Sequence, residues 1–333
     1  MKLDILVPQY KEDETIVKPL LDSIAFQQNI NFDDIGVIIV NDGTDVLLSK
    51  EFLDSYPYKI TYIHAEHGGV SATRGKAFDA STADYVMFCD ADDMFFNMCG
   101  LWIIFREMQG EGFDALNSTF LEDSRMPVEE GGQPQPIFIN REQDATFVHG
   151  KIYRRQYLLD NNIRWNPALT IHEDSFFNCL ALNCTQKVKY CPTPFYLWKW
   201  RDDSVCRRDF KYILKTYNNL LDSNTALVEQ LLARDKKDPA AFYAASMVYD
   251  AYFTMNKDEW INQENKEYRD ATERRFAKYY KKFKDLAMGI HPQLKANILQ
   301  RIRSRFYFEG MFFESITFDK WIEGIEKLIE EDN

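Results

Sequence analysis

The 333-residue chain has little that would staple it covalently or anchor it in a bilayer. Its six cysteines (Cys89, Cys99, Cys179, Cys184, Cys191 and Cys206) form no CxxC pair, and Cys89 lies inside an apolar run. They read as reduced thiols, which argues against a disulfide scaffold and against structural zinc. No apolar run approaches the roughly 20 residues that a membrane-spanning helix needs. The start, "MKLDILVPQY", is already strand-like and lacks a basic-then-apolar leader. The expected location is therefore cytoplasmic. Internal repeats and low-complexity tracts are missing as well. Positive charge is scarce, with 40 Lys and Arg against 52 Asp and Glu and a net charge of −12. That balance argues against nucleic acid as an obligatory partner. The cations concentrate instead in residues 266–305, which carry twelve Lys/Arg and four Asp/Glu.

What is present describes a folded globular protein: the chain is 45% hydrophobic and 15% aromatic, well above disordered compositions. Its first hundred residues alternate strand and helix. "LDILVPQY" is a short apolar run that Pro8 turns out of the sheet. A helix with Ile16, Leu20, Leu21 and Ile24 follows. "IGVIIVNDG" is a run buried on both faces, "KITYIHA" a third strand, "GVSATRGKAFDAS" a helix opened by Gly68-Gly69, and "DYVMFC" a fourth strand. Such alternation predicts an α/β fold with a mostly parallel, Rossmann-like sheet and helices on both faces. Ligands of such sheets bind beyond the carboxyl ends of the strands, where Pro8, Tyr10, Asp42, Asp90 and Asp92 fall.

Further on, "FDALNSTFLED" reads as one strand and "EEGGQPQPIF" (129–138) as a Gly/Pro-rich turn or loop. "FVHGKIYRRQYLLDNNIRW" reads as a strand entering a helix, and "HEDSFFNCLALNC" as a helix with acids at its start. Beyond about residue 210 the pattern is helical throughout. The apolar stripes are Leu227/Val228/Leu231/Leu232, Tyr243/Met247/Ala251/Tyr252 and Phe276/Tyr280/Phe283. These shifts divide the chain into a sheet domain, 1–208, and a helical domain, 209–333.

The chemistry gathers in "YVMFCDADDMF", where an apolar run ends in Asp90, Asp92 and Asp93. Three adjacent carboxylates repel one another, so they either stay in water or accept a hard divalent cation such as Mg²⁺ or Mn²⁺. Around them, in order, stand "VPQYKEDE", "VNDGTD", "HGGVSATRGKAF" and "IHEDSFF". Over residues 3–205 this series resembles the family 2 glycosyltransferases of the GT-A fold, whose pattern runs P-x-Y-N-x-E, D-D-G-S-x-D, G-G-x-x-x-A-R-N-x-G, D-x-D and E-D. Lys11 replaces the usual Asn, Asn41 precedes Asp42, and Gly75-Lys76-Ala77 replaces Asn-x-Gly; none of these removes a needed charge.

The resemblance implies a metal-dependent, inverting transfer from a nucleotide diphosphate sugar, a UDP-sugar, to an acceptor hydroxyl. Tyr10 would lie against the nucleobase with Pro8 shaping the turn, and Glu12 would face the ribose or order the loop. Asp42 would accept from a pyrimidine imide, or simply serve as a turn residue. Gly69 would allow close backbone approach, and Arg74 would meet phosphate or sugar. Asp90 would reach sugar hydroxyls and join the metal set, Asp92 would bind the metal directly, and Asp93 would act through water or be the exposed member of the cluster. Asp174 would be the general base, with Glu173 orienting it. His172 or His149 would add an imidazole to the metal or the acceptor. Lys151, Trp200, Arg201 and Ser204 are acceptor- and donor-side candidates.

Two alternatives remain. A non-catalytic nucleotide-sugar or glycan-binding module would share these residues. A nucleotidyltransferase would need a Gly-rich, basic loop where "PQYKEDE" stands. The acceptor is open among glycans, wall polymers, proteins and modified nucleic acid. The basic segment 266–305 reads first as the solvated face of a packing helix, and second as a contact for an anionic membrane or polyanion.

Overall fold

The computed structural model describes residues 1–110, 112–126, 135–201, 210–262, 266–308 and 316–331. The chain divides into two compact units, Met1–Val205 and Cys206–Asn333.

The first unit runs β1 (Leu3–Gln9), α1 (Glu14–Ala25), β2 (Ile35–Asp42), α2 (Lys50–Asp54), β3 (Lys59–Ala65), α3 (Gly69–Ala80), β4 (Tyr85–Phe88), β5 (Met94–Phe95) and α4 (Gly100–Gln109). It continues through β6 (Ala115–Ser118), β7 (Phe120–Met126), β8 (Gln135–Arg141), β9 (Lys151–Arg154), α5 (Arg155–Asp160), α6 (Glu173–Asn183), β10 (Val188–Cys191) and β11 (Tyr196–Trp198). Seven strands form the main sheet in the order β10-β6-β9-β4-β1-β2-β3. β1 is parallel to β2 and to β4, β2 to β3, and β10 to β6, while β9 runs antiparallel to both its neighbours.

Period-2 alternation splits the strand side chains between two cores. Leu3, Ile5 and Val7 join Val37, Ile39 and Met87 against Val17, Leu20, Leu21 and Ile24 of α1 and Leu101 and Ile104 of α4. Leu6, Ile38, Val86 and Phe88 are buried on the opposite side. There Phe88 meets Trp165 and Phe177 edge-on, at centroid distances of 5.0 and 5.4 Å. Each fully buried aliphatic side chain contributes about 1.5–3 kcal/mol, so both layers hold the sheet's carboxyl edge in place.

Pro8 does not end its strand; β1 pairs with β2 as far as Gln9–Asn41. The pairing of β1 with β4 stops at Leu6–Phe88, and the Leu6 carbonyl accepts from the Cys89 amide. Residues two apart present their polar groups to the same side, so the missing N–H of Pro8 faces the side where β4 has already ended. No ladder bond is lost there.

The stretch "FDALNSTFLED" is likewise not one strand. It breaks at Thr119 into β6 of the main sheet and β7 of a second, four-stranded sheet ordered β5-β11-β7-β8. Within 129–138, residues 135–138 form the start of β8, and the remainder of that turn lies outside the described residues.

The second unit is helical: α7 (Phe210–Leu232), α8 (Lys237–Met255), α9 (Asp258–Ile261), α10 (Lys266–Met288), α11 (Pro292–Phe308) and α12 (Phe318–Glu331). The Phe276/Tyr280/Phe283 stripe of α10 is buried, as an amphipathic packing helix requires. Arg275 and Lys282, on its basic face, pair with Asp222 and Glu229 of α7.

Candidate functional site

At the carboxyl edge of β1, β2 and β4 lies a cavity of about 420 Å³. Pro8, Tyr10, Glu12, Asp42, Gly69, Arg74, Asp90 and Asp92 all line it. Residues from four separate segments thus converge because parallel strands end on one side of the sheet.

Local chemistry fixes each wall. The Glu12 carboxylate accepts from the Tyr10 amide at 2.8 Å, folding the loop after β1 back on itself. Tyr10 stays 44% exposed, its ring 5.4 Å from that of His67. The buried Asp42 carboxylate accepts from the amides of Gly68 and Gly69 at 2.8 and 3.0 Å, capping α3. Gly69 has φ +80°, a left-handed conformation that a glycine adopts freely. Gln9 and His67 also line the cavity and were missed by sequence reasoning. Gln9 is buried and donates to the carbonyls of Glu12 and Val46. No motif marks such a residue; only its place at the end of an apolar strand hinted at it.

Arg74 is the hub. Its guanidinium donates to Asp90 at 2.7 Å and to Glu173 at 2.9 Å, and stacks 4.8 Å from the ring centroid of Trp165. Burial penalises its charge, but Asp90 and Glu173 outweigh that and hold the guanidinium firmly protonated. Burial would raise Asp90 too, yet the neighbouring Arg74 charge keeps its carboxyl below the usual range. Glu173 is pushed up by burial despite Arg74. Asp174, beside it, is pushed up to about 8, by burial and then by the Glu173 charge.

Glu173 and Asp174 open α6, whose preceding residue His172 has a left-handed backbone, φ 64°. Ser71 of α3 donates to the Leu169 carbonyl at 2.8 Å, fastening the loop before α6 to the cavity helix. The two acids do not line the cavity themselves; Arg74 connects them to it.

The acidic cluster is divided in its tasks. Asp92 reaches the cavity and pairs with Arg201 at 3.0 Å, while the same guanidinium lies 3.4 Å from Glu12. Burial and Asp90 push the Asp92 carboxyl up, against the pull of Arg201. Asp93 is not the exposed member: it is 1% exposed and accepts from the Tyr196 hydroxyl at 2.7 Å and the Lys199 amide at 2.9 Å. Burial, then Asp92 and Asp90, push its carboxyl well up.

Among the described residues, Asp90, Asp93 and His149 bring ligand atoms within 4.8 Å of one another; Asp92 and His172 are not in that group. His149 stacks on Tyr196 and Trp198 at 5.3 and 5.2 Å. Burial lowers its pKa to about 4, which keeps the imidazole neutral, as a metal ligand must be. Two carboxylates and a neutral imidazole suit a hard or borderline divalent ion. Lys151 is fully buried and donates to the Phe147 carbonyl. Trp200 stacks with Arg125, at 4.9 Å. Ser204 lies outside the described residues.

Residues 4–163 match the family described as Glycosyl transferase family 2. The chain carries a family 2 glycosyltransferase domain. The chain is 24% identical over 226 residues to the uncharacterized glycosyltransferase EpsJ of Bacillus subtilis (strain 168), covering 63% of this chain and 64% of EpsJ. It is 26% identical over 196 residues to the poly(ribitol-phosphate) beta-N-acetylglucosaminyltransferase TarS of Staphylococcus aureus (strain Mu50 / ATCC 700699), covering 54% of this chain and 32% of TarS. The chain therefore spans less than two thirds of either relative. The crystal structure of S. aureus TarS 1–349 with UDP-GlcNAc superimposes with a TM-score of 0.65 at 16% identity, covering 94% of this chain and 93% of that one. The fold is that GT-A-type α/β domain followed by helices. No helix among the described residues is long and apolar enough to cross a membrane.

Proposed function

We propose that the protein is a glycosyltransferase that moves a sugar from a UDP-sugar to an acceptor hydroxyl with inversion. The observation that carries this reading is the single cavity in which Tyr10, Asp42, Arg74, Asp90 and Asp92 meet. The relative TarS, solved with UDP and with UDP-GlcNAc, supports the choice of nucleotide. The exposed ring of Tyr10 offers a face for the base, and Asp42 keeps acceptor capacity beyond its two amide donors for a uracil imide.

A divalent ion, Mn²⁺ or Mg²⁺, would be held by Asp92 and Asp90 on the cavity side. Its chemistry is to neutralise the diphosphate as it leaves. Asp93 and His149 complete the ligand-capable group behind Asp90, and Arg201 supplies positive charge beside Asp92. The reaction forms a bond from the acceptor oxygen to the anomeric carbon and breaks the bond from that carbon to the phosphate oxygen. Asp174 takes the acceptor's proton, a task suited to a carboxyl whose pKa lies near the working pH. Arg74, bonded to Asp90 and to Glu173, links the start of α6 that carries Asp174 to the cavity wall.

Asp174→Asn tests the assignment. UDP binding should persist, while UDP release from UDP-GlcNAc should fall at least about 100-fold. Unchanged turnover would remove Asp174 from the mechanism. Retained donor binding with no turnover in the unaltered protein, across donors and acceptors, would favour a binding module instead.

A further inference from the structure

We propose that the helical unit carries a second binding site, for the phosphate group and adjoining ring or polyol of a phosphate-bearing glycan. The site is a cavity of about 470 Å³ formed by α8, α11 and the start of α12. Tyr249, Tyr252 and Phe318 give it aromatic walls, while among the described residues Lys295, Arg303 and Lys320 give it three cations against one acid, Asp319.

Those cations are uncommitted. None of the three is ion-paired among the described residues, whereas Arg275 and Lys282 of α10 are held by Asp222 and Glu229. The Lys295 ammonium rests over Tyr249 and Phe318, 5.6 and 5.9 Å from the ring centroids. Cation–π contacts of this kind leave the ammonium's three donors free for an anion.

Two further features lie at this cavity. α12, 14 residues long, begins at this cavity, and Thr317 caps it by accepting from the Lys320 amide at 3.4 Å. The positive end of a helix and its unpaired first-turn amides attract phosphate. The Tyr249 hydroxyl is buried, with no hydrogen-bond partner among the described residues. A buried hydroxyl left unpaired is costly, so a small shift of the Tyr249 ring towards a bound ligand oxygen would be favoured.

The volume of about 470 Å³ admits more than a bare anion. The cavity falls within the range that holds whole small molecules, far more than a bare phosphate fills. The partly exposed faces of Tyr252 and Phe318, 5.3 Å apart and edge to face, suit the C–H faces of a sugar or polyol. If the transfer proposed above is correct, such a site would bind a phosphate-bearing acceptor. That role alone rests on the proposed function; the binding does not.

Titration of the full chain with glycerol 3-phosphate, inorganic phosphate and glycerol tests the site. Glycerol 3-phosphate should bind more tightly than either alternative. Arg303→Gln with Lys320→Gln, both at exposed positions, should weaken it about tenfold or more, and Tyr249→Phe should weaken it less. UDP binding should be the same in all variants, so failure here and failure of the donor site read out separately. Equal binding of inorganic phosphate, affinity unchanged in the double variant, no binding of glycerol 3-phosphate, or capture only by phosphatidylglycerol vesicles would each overturn the proposal.

Discussion

The guanidinium of Arg74 lies 2.7 Å from the carboxylate of Asp90, and this bond ties the acidic loop after β4 to the cavity helix α3. The other end of the same guanidinium holds Glu173. One side chain, 5% exposed, thus sets the spacing between the proposed metal and the proposed base. Removing one partner of a buried ion pair leaves the others uncompensated. Arg74→Met should therefore destabilise the first unit by about 3 kcal/mol. A urea midpoint equal to that of the parent protein would show that the network is not structural.

Two glycines with left-handed backbones should respond differently to alanine. At Gly69, φ +80°, an added Cβ meets nothing within 4 Å, so only backbone strain of about 1 kcal/mol is expected. At Gly150, φ +67°, the Cβ would run into the Ser118 hydroxyl, which itself donates to the Gly150 carbonyl at 2.7 Å. Strain and overpacking together predict a loss of about 3 kcal/mol. Equal losses in chemical denaturation would contradict the difference in space.

Much of this architecture was legible in the sequence, because apolar runs that give way to polar residues near Tyr10, Asp42 and Asp90 mark strand ends whatever the tertiary context. The second sheet was not. Thr119 separates two strands that carry no intervening turn signal, and only their partners, β9 on one side and β8 on the other, tell them apart. Asp93 and His149 lie 56 positions apart in the chain, and nothing local announces that they meet. The resemblance implies a phosphate or sugar partner for Arg74; spacing locates it on the cavity helix but does not reveal that Asp90 and Glu173 hold it from both ends.

Acid should unfold the protein partly through Asp144. Burial would raise its pKa, but the Lys151 charge and hydrogen bonds from Thr146 and Phe147 outweigh that and hold it low. A depressed carboxyl contributes stability that is complete above its unfolded value of about 4 and is lost as pH falls through the lower folded value. The stability gap between the parent protein and Asp144→Asn should therefore narrow as pH drops below about 4. A gap constant across that window would exclude the linkage.

Turnover should also fall towards acid, but in a higher pH window. With Asp174 as base and its carboxyl pushed up to about 8, kcat/KM for UDP-GlcNAc should climb with pH and level off near that value. A flat profile between pH 6 and 9 would mean that another group, or none, takes the proton.

The most direct test of the central claim is calorimetric titration of the folded protein with UDP, CDP, GDP and dTDP, with Mn²⁺ and again with EDTA. The account predicts that UDP binds in the presence of the metal, more tightly than CDP, and that EDTA or Asp92→Asn weakens it sharply. Binding of none of the four diphosphates, by protein shown to be folded, would contradict it.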